Sequence, residues 1–321
     1  MNITVIVPTY RRPQDLRRCL TALGAQRQPA DEVIVVVRDT DTETHSFFAG
    51  CPPALPGLRI VAVSQPGVLA AMTAGLTETH GEIIAFTDDD TAPFPDWLER
   101  IKTHFAADEH LGGVGGRDWQ RAERGNRKIV GKIQWHGRVI GNHHLGAGAA
   151  REVDILKGAN CAYRATPLKK IGFETRLRGG GAQVHWEIAL GMAMRQDGWR
   201  LIYDPAVALD HFPSQRFDAD QNLRGIFSAE GIYNSAFNET LILLHYLPPI
   251  RRSAFIVWAL LVGTRAEPGL AQIPRLILTR NRHVVERAKA TFAGRLAAAK
   301  AVAQMHRQPA EKGEMPCKSS Y

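Results

Sequence analysis

The chain has 321 residues, 45% hydrophobic and 22% charged, a length and balance that supply a real core for one large domain or two modest ones and exclude a largely disordered protein. Four cysteines, Cys19, Cys51, Cys161 and Cys317, lie far apart with no Cys-x-x-Cys pair, which argues against a disulfide framework or zinc ribbon and fits a reducing cytosol. The net charge of +8 is concentrated in residues 251–321, which hold 13 Lys and Arg against 4 Asp and Glu; with no recognised nucleic-acid module in the chain, a nucleic-acid-binding function is disfavoured.

Met1 and Asn2 run directly into the apolar residues 3–7 without a basic region, a long apolar stretch or a cleavage site, so a strand rather than a leader is expected there. Pro8 closes that strand, and Pro13 suits the first turn of a helix carrying Leu16, Leu20 and Leu23 at helical spacing. Residues 33–37 and 58–63 read as further strands, a small-residue helix follows Gly67 to about His80, and residues 82–86 form a fourth strand. Beyond Pro93-Phe94-Pro95 a helix places Trp97, Leu98, Ile101 and Phe105 on one face. Residues 112–152, rich in Gly, Arg and His without a sustained period, predict irregular strands and loops. Val184, Ile188, Met192 and Ala193 predict a helix over 183–196, followed by Gly198 and a strand over 199–203.

Continuously apolar strands alternating with helices indicate a parallel sheet covered on both faces, so the first 110 residues read as a doubly wound α/β unit. Ligands of such sheets bind outside the carboxyl ends of the strands. The tips there are Pro8-Thr9-Tyr10, Arg38-Asp39-Thr40-Asp41 and Thr87-Asp88-Asp89-Asp90. Three adjacent carboxylates in a crevice repel one another and lose water. A divalent cation removes that cost, and Mg²⁺ or Mn²⁺ held by one or two carboxylates plus substrate phosphates describes a nucleotide diphosphate site. A solvated Asp-rich turn is the plainer alternative.

The pieces Val5-Ile6-Val7-Pro8-Thr9-Tyr10, Glu32-Val33-Ile34-Val35-Val36, residues 81–90 with Pro95-Asp96-Trp97-Leu98, Gly158-Ala159-Asn160-Cys161-Ala162-Tyr163-Arg164 and Gly198-Trp199-Arg200-Leu201-Ile202-Tyr203 together resemble a family-2 glycosyltransferase with the GT-A fold. The resemblance spans roughly residues 3–212. It implies that Pro8, Thr9, Tyr10 and Asp39 line the nucleoside pocket with Asp88 and Asp89 on the donor, that Asp88 and Asp90 bind Mn²⁺ or Mg²⁺, and that His211 is a third ligand. Relatives carry an acidic pair one helix before the Gly-aromatic strand, and its second member is the catalytic base. That position, eleven residues before Gly198, is Glu187, preceded by Trp186. The pattern is broken at Val37-Arg38, where an acidic pair is usual, and at Met72-Thr73, where Arg-Asn is usual.

The expected architecture is a GT-A-like, mixed and mostly parallel sheet over residues 1–215, with a nucleotide half at 1–110 and an acceptor half at 111–215. A helical basic extension at 216–305 and a disordered tail at 306–321 would follow. The expected activity is inverting transfer from a nucleotide diphosphate-sugar to a hydroxyl acceptor, lipid-linked or a cell-surface glycan precursor. Arg11 and Arg12 are the nearest cations for the leaving group and equally ordinary helix-start residues. Residues 253–264 are uncharged but shorter than the ~20 needed to span a bilayer. With Arg251, Arg252, Arg265, Arg275, Arg280 and Arg282 around them, they read either as interfacial helices on the inner face of an anionic membrane or as a core helix followed by a solvated one. Rival readings are a basic nucleic-acid- or membrane-binding protein without transferase activity, and a sugar nucleotidyltransferase, whose Gly-rich phosphate loop is replaced here by residues 8–12. A dehydrogenase fails on the missing Gly-x-Gly-x-x-Gly at that turn.

Overall fold

Val5 and Val7 face one side of their strand and Ile6 the other, and all three are fully buried, so the sheet needs cover on both faces. The structure, a computed structural model, describes residues 1–50, 53–120, 125–217, 227–278 and 282–307. Cys51, Arg280, Cys317 and residues 308–321 of the expected disordered tail lie outside these.

In chain order the elements are β1 (Ile3–Thr9), α1 (Pro13–Gly24), β2 (Glu32–Arg38), α2 (Thr42–Ala49), β3 (Leu58–Val63), α3 (Val68–Thr77), β4 (Ile83–Thr87), β5 (Thr91–Pro93), α4 (Trp97–Ala107) and β6 (Leu111–Trp119). There follow β7 (Lys132–Ile133), β8 (Val139–Ile140), β9 (Arg151–Glu152), β10 (Asn160–Arg164), α5 (Ala165–Ile171), α6 (Trp186–Gln196), β11 (Arg200–His211), α7 (Ala229–Tyr246), α8 (Pro249–Leu261), α9 (Gln272–Leu278) and α10 (Val284–Arg307).

The main sheet has nine strands in the order β3-β2-β1-β4-β10-β6-β11-β5, with β9 paired to β11. β3, β2, β1 and β4 are mutually parallel. β10 runs antiparallel between β4 and β6, and β11 lies parallel to β6. This is the expected mixed, mostly parallel α/β sheet. On one face Val5, Val7 and Val35 pack with α1 and α4 through Leu16, Leu20, Trp97 and Ile101. On the other, Ile6, Ile34 and Phe86 pack with α3, α6 and α7. Chain order reverses at β1 and β4, which opens a crevice beyond their carboxyl ends.

Two expectations change. Residues 112–152 are not irregular throughout, because β6 is a nine-residue strand in the middle of the sheet, buried along all but its last residue. Its glycines answer to crowding: a Cβ on Gly115 would lie 2.6 Å from the Asn160 carbonyl oxygen, and one on Gly116 1.7 Å from that of Val207. The helix expected from 183 begins at Trp186, because Gln183 and His185 hold φ of 40° and 75°, which a helix cannot contain.

α10 packs along α7, where a Cβ on Gly294 would come within 2.4 Å of the Tyr233 carbonyl oxygen. Among the described residues no helix is long and apolar enough to cross a membrane. α8, which takes up most of the apolar run at 253–264, buries Phe255 and Ala259 and leaves its other side exposed.

Candidate active site

The turn between β4 and β5 sends its three carboxylates in different directions. Thr91 fixes the turn by donating its hydroxyl to the Asp88 carbonyl at 2.8 Å, and its Oγ1 lies 2.7 Å from that of Thr87. Asp88 is half-buried and faces the crevice. Asp89 is wholly buried, accepts a 2.7 Å hydrogen bond from the Thr9 hydroxyl and pairs with the Arg12 guanidinium at 2.8 Å. Burial pushes its carboxyl up to about 7 against the pull of Arg12. Asp89, expected on the donor, is turned inward here and ties β1 and α1 to the turn.

Asp90 accepts from the Ser214 amide at 3.0 Å and stands 3.5 Å from Arg12. The antiparallel pairing of β5 with β11, which sets Thr91 opposite His211, brings the His211 Nε2 to 3.3 Å from Asp90 Oδ1. On its other edge the His211 Nδ1 lies 3.3 Å from Asp118 Oδ2. Asp118 is fully buried and also meets Lys157 at 3.4 Å. Burial works against a charged His211, but the Asp118 and Asp90 carboxylates outweigh it and raise the imidazole to about 9. Burial likewise opposes ionisation of Asp90 and Asp118, yet contact with His211 holds both well below the usual carboxylate range.

Asp88, Asp90 and His211 offer one donor atom each within 4.8 Å of one another. Two carboxylate oxygens and an imidazole nitrogen that gives up its proton on binding fit a divalent cation such as Mn²⁺ or Mg²⁺. Asp118 on the far nitrogen is the carboxylate that fixes ring orientation in many histidine-ligated metal sites.

A cavity beyond β1 and β2 is lined by Pro8, Thr9, Tyr10, Arg12, Arg38 and Asp88, among others. Arg38 lays its guanidinium 3.9 Å above the Tyr10 ring. Asp39 is exposed and outside this lining, so the structure puts Arg38 where the resemblance put an acid. Arg11 and Arg12 also separate: Arg11 turns outward to Glu43 at 3.2 Å, while Arg12 faces the carboxylates.

An adjoining cavity of ≈ 430 Å³ is lined by Asp88, His211 and Lys157 together with His185, Trp186 and Glu187 of the α6 start. Trp186 anchors the helix by edge-to-face contacts with Phe86 at 6.4 Å and Phe173 at 5.7 Å, which accounts for an aromatic in place of the acid of the pair. Glu187 sits in the first turn, where the helix dipole favours an anion, and accepts from the Gly158 amide at 3.4 Å. A Cβ on Gly158 would lie 3.2 Å from that carboxylate and 2.6 Å from Trp186. Behind the helix start, the His185 Nε2 is 2.8 Å from the Ser235 hydroxyl, which donates to Glu267. His143, half of a sequence-adjacent pair without metal spacing, is buried with Nε2 3.1 Å from the Ile155 carbonyl.

Asp118, Lys157 and Arg38 were not singled out as site residues from sequence. Arg38 ends a strand beside the expected acid. Asp118 carried no local signal beyond its place after a glycine run.

A doubly wound sheet with carboxylates and a histidine gathered at its switch point forms a crevice suited to a metal-bound ligand. The sequence pattern of Glycosyl transferase family 2 matches residues 4–172, and the chain belongs to that family. Glycosyltransferase AglE of Haloferax volcanii is 33% identical over 101 residues, 30% of this chain and 33% of that protein; matches to the first curated relatives cover about a third of their length. Glucosyl-dolichyl phosphate glucuronosyltransferase of the same organism is 23% identical over 225 residues, 66% of this chain and 69% of its own. Among solved structures, the mannosyltransferase PcManGT of Pyrobaculum calidifontis in complex with GDP-Man and Mn²⁺ superposes with a TM-score of 0.54 at 19% identity, covering 96% of this chain and 88% of that one. S. aureus TarS residues 1–349 in complex with UDP-GlcNAc gives 0.52 at 17%, covering 96% and 92%. At these identities the superpositions speak for the fold.

Proposed function

We propose that the chain is an inverting, metal-assisted transferase that moves a sugar from a nucleotide diphosphate donor to an acceptor hydroxyl, with Glu187 as general base. The carrying observation is that Asp88 borders both cavities, while Glu187 and His211 line the second together with it. In this reading Pro8, Thr9, Tyr10 and Arg38 cradle the nucleoside, and Asp88, Asp90 and His211 hold Mn²⁺ or Mg²⁺. When bound, the cation supplies Lewis-acid neutralisation of charge on the departing diphosphate. Glu187 takes the proton of the acceptor hydroxyl, whose oxygen bonds to the anomeric carbon as the bond from that carbon to the diphosphate oxygen breaks. Attack opposite the leaving group inverts the anomeric configuration. Arg12 and Lys157 add positive charge on the walls of the two cavities. The donor complexes of the structural neighbours support a nucleotide sugar, and the dolichyl phosphate relative supports a lipid-linked acceptor at a membrane face.

The test is release of nucleoside diphosphate across a donor panel in Mn²⁺ or Mg²⁺, with the anomeric configuration of the product read by NMR. Retention of configuration, or undiminished turnover in both Glu187→Gln and Asp90→Asn, would overturn the assignment.

A further inference from the structure

The surface that needs explaining lies away from both cavities. α8 buries Phe255 and Ala259 and turns Val257 (56% exposed) and Leu261 (50%) outward. The Leu270 amide donates to the Leu260 carbonyl at 2.8 Å and that of Ala271 to Leu261 at 2.8 Å, so the chain leading into α9 runs beside this ridge. That stretch exposes Leu270 (56%), and α9 after it exposes Ile277 (61%) and Leu278 (83%). At the other end of α8, Arg251 donates to the Trp135 carbonyl at 3.0 Å, and Trp135 itself is 62% exposed. So many exposed apolar side chains within one short stretch of chain exceed the ordinary scatter and mark an interaction surface.

Charge decides the partner. Across residues 247–285 the single acid is Glu267, and it is buried. Arg265, Arg275 and Arg282 are all exposed. A second copy docking by a twofold axis would bring the same arginines together across the interface. An anionic bilayer accepts the apolar ridge among its acyl chains, the arginines at its phosphates and an exposed Trp at the headgroup level.

We propose that the outer face of α8 and α9, with Trp135 at its edge, is a peripheral docking surface for an anionic membrane. α8, at 13 residues, lies in the interface and does not span it. The inference specifies the membrane face suggested with the acceptor but does not depend on transferase chemistry.

The test is co-sedimentation of the full chain with phosphatidylcholine vesicles with and without phosphatidylglycerol, at low and high salt. The unmodified protein should bind the anionic vesicles and release them in salt. Leu261→Glu/Ile277→Glu and Arg265→Glu/Arg275→Glu should each weaken binding at least about 10-fold. Unfolding temperature and the thermal shift with Mn²⁺ and donor, read on the same samples, should be unchanged. If one pair fails to fold, the other decides. Lack of vesicle binding, or full binding in a folded variant, overturns the proposal. A dimer seen by sedimentation velocity without vesicles, and lost in Leu261→Glu/Ile277→Glu, overturns it in favour of a second copy. A missing donor shift with vesicle binding intact would count against the transferase reading alone.

Discussion

His211 and Asp90 meet at 3.3 Å because β11 pairs antiparallel with β5, and the opposite edge of the same imidazole is held by Asp118 at 3.3 Å. A carboxylate behind a metal-ligating histidine fixes the ring and strengthens it as a ligand. Asp118→Asn should therefore weaken Mn²⁺ binding by about 10–100-fold, measured by titration calorimetry without donor. An unchanged affinity would remove Asp118 from the site.

Glu187 lies on the first turn of a helix anchored by Trp186, so its amide should leave the fold intact. Glu187→Gln is expected to lower kcat by about 10²–10⁴-fold with donor Kd little changed, read by turnover and equilibrium donor binding side by side. A proportional loss of both would point to a binding role.

Half-buried Arg12 pairs with fully buried Asp89 at 2.8 Å. Removing the cation leaves a buried carboxyl that takes up a proton but keeps an unsatisfied polar group, so Arg12→Leu should destabilise the fold by about 1–3 kcal/mol. Adding Asp89→Asn should recover much of that loss. Denaturant unfolding of the two single variants and the double variant checks the coupling, and additive effects would contradict it.

Glu239 is buried on α7 and faces Glu267, His185 and Arg295. Burial, with the repulsion of Glu267, pushes its carboxyl up to about 8. The folded chain thus keeps a proton that the unfolded chain releases near pH 4.5, so stability declines as pH rises across the interval from there to about 8. The unfolding temperature should drop by on the order of 5 °C from pH 6 to 9, and Glu239→Gln should flatten that slope. Scanning calorimetry over the range provides the measurement, and equal slopes would rule Glu239 out as the cause.

Alternation and periodicity are local, and they determined the apolar strands, the helices that cover them and the position of the carboxylate triplet at a strand's carboxyl end. The family's motifs, also linear, led to Glu187 at the start of a helix. Which carboxylate faces the crevice was decided by the turn, where Thr9 and Arg12 turn Asp89 inward. That Arg38 rather than Asp39 lines the cavity depends on how β2 ends beside Tyr10. Asp118 joins the site only because glycines let β6 lie between β10 and β11. Sequence periodicity reports which side of an element is buried, whereas contacts among residues 90, 118 and 211 depend on strand order and register, set by close packing of distant segments.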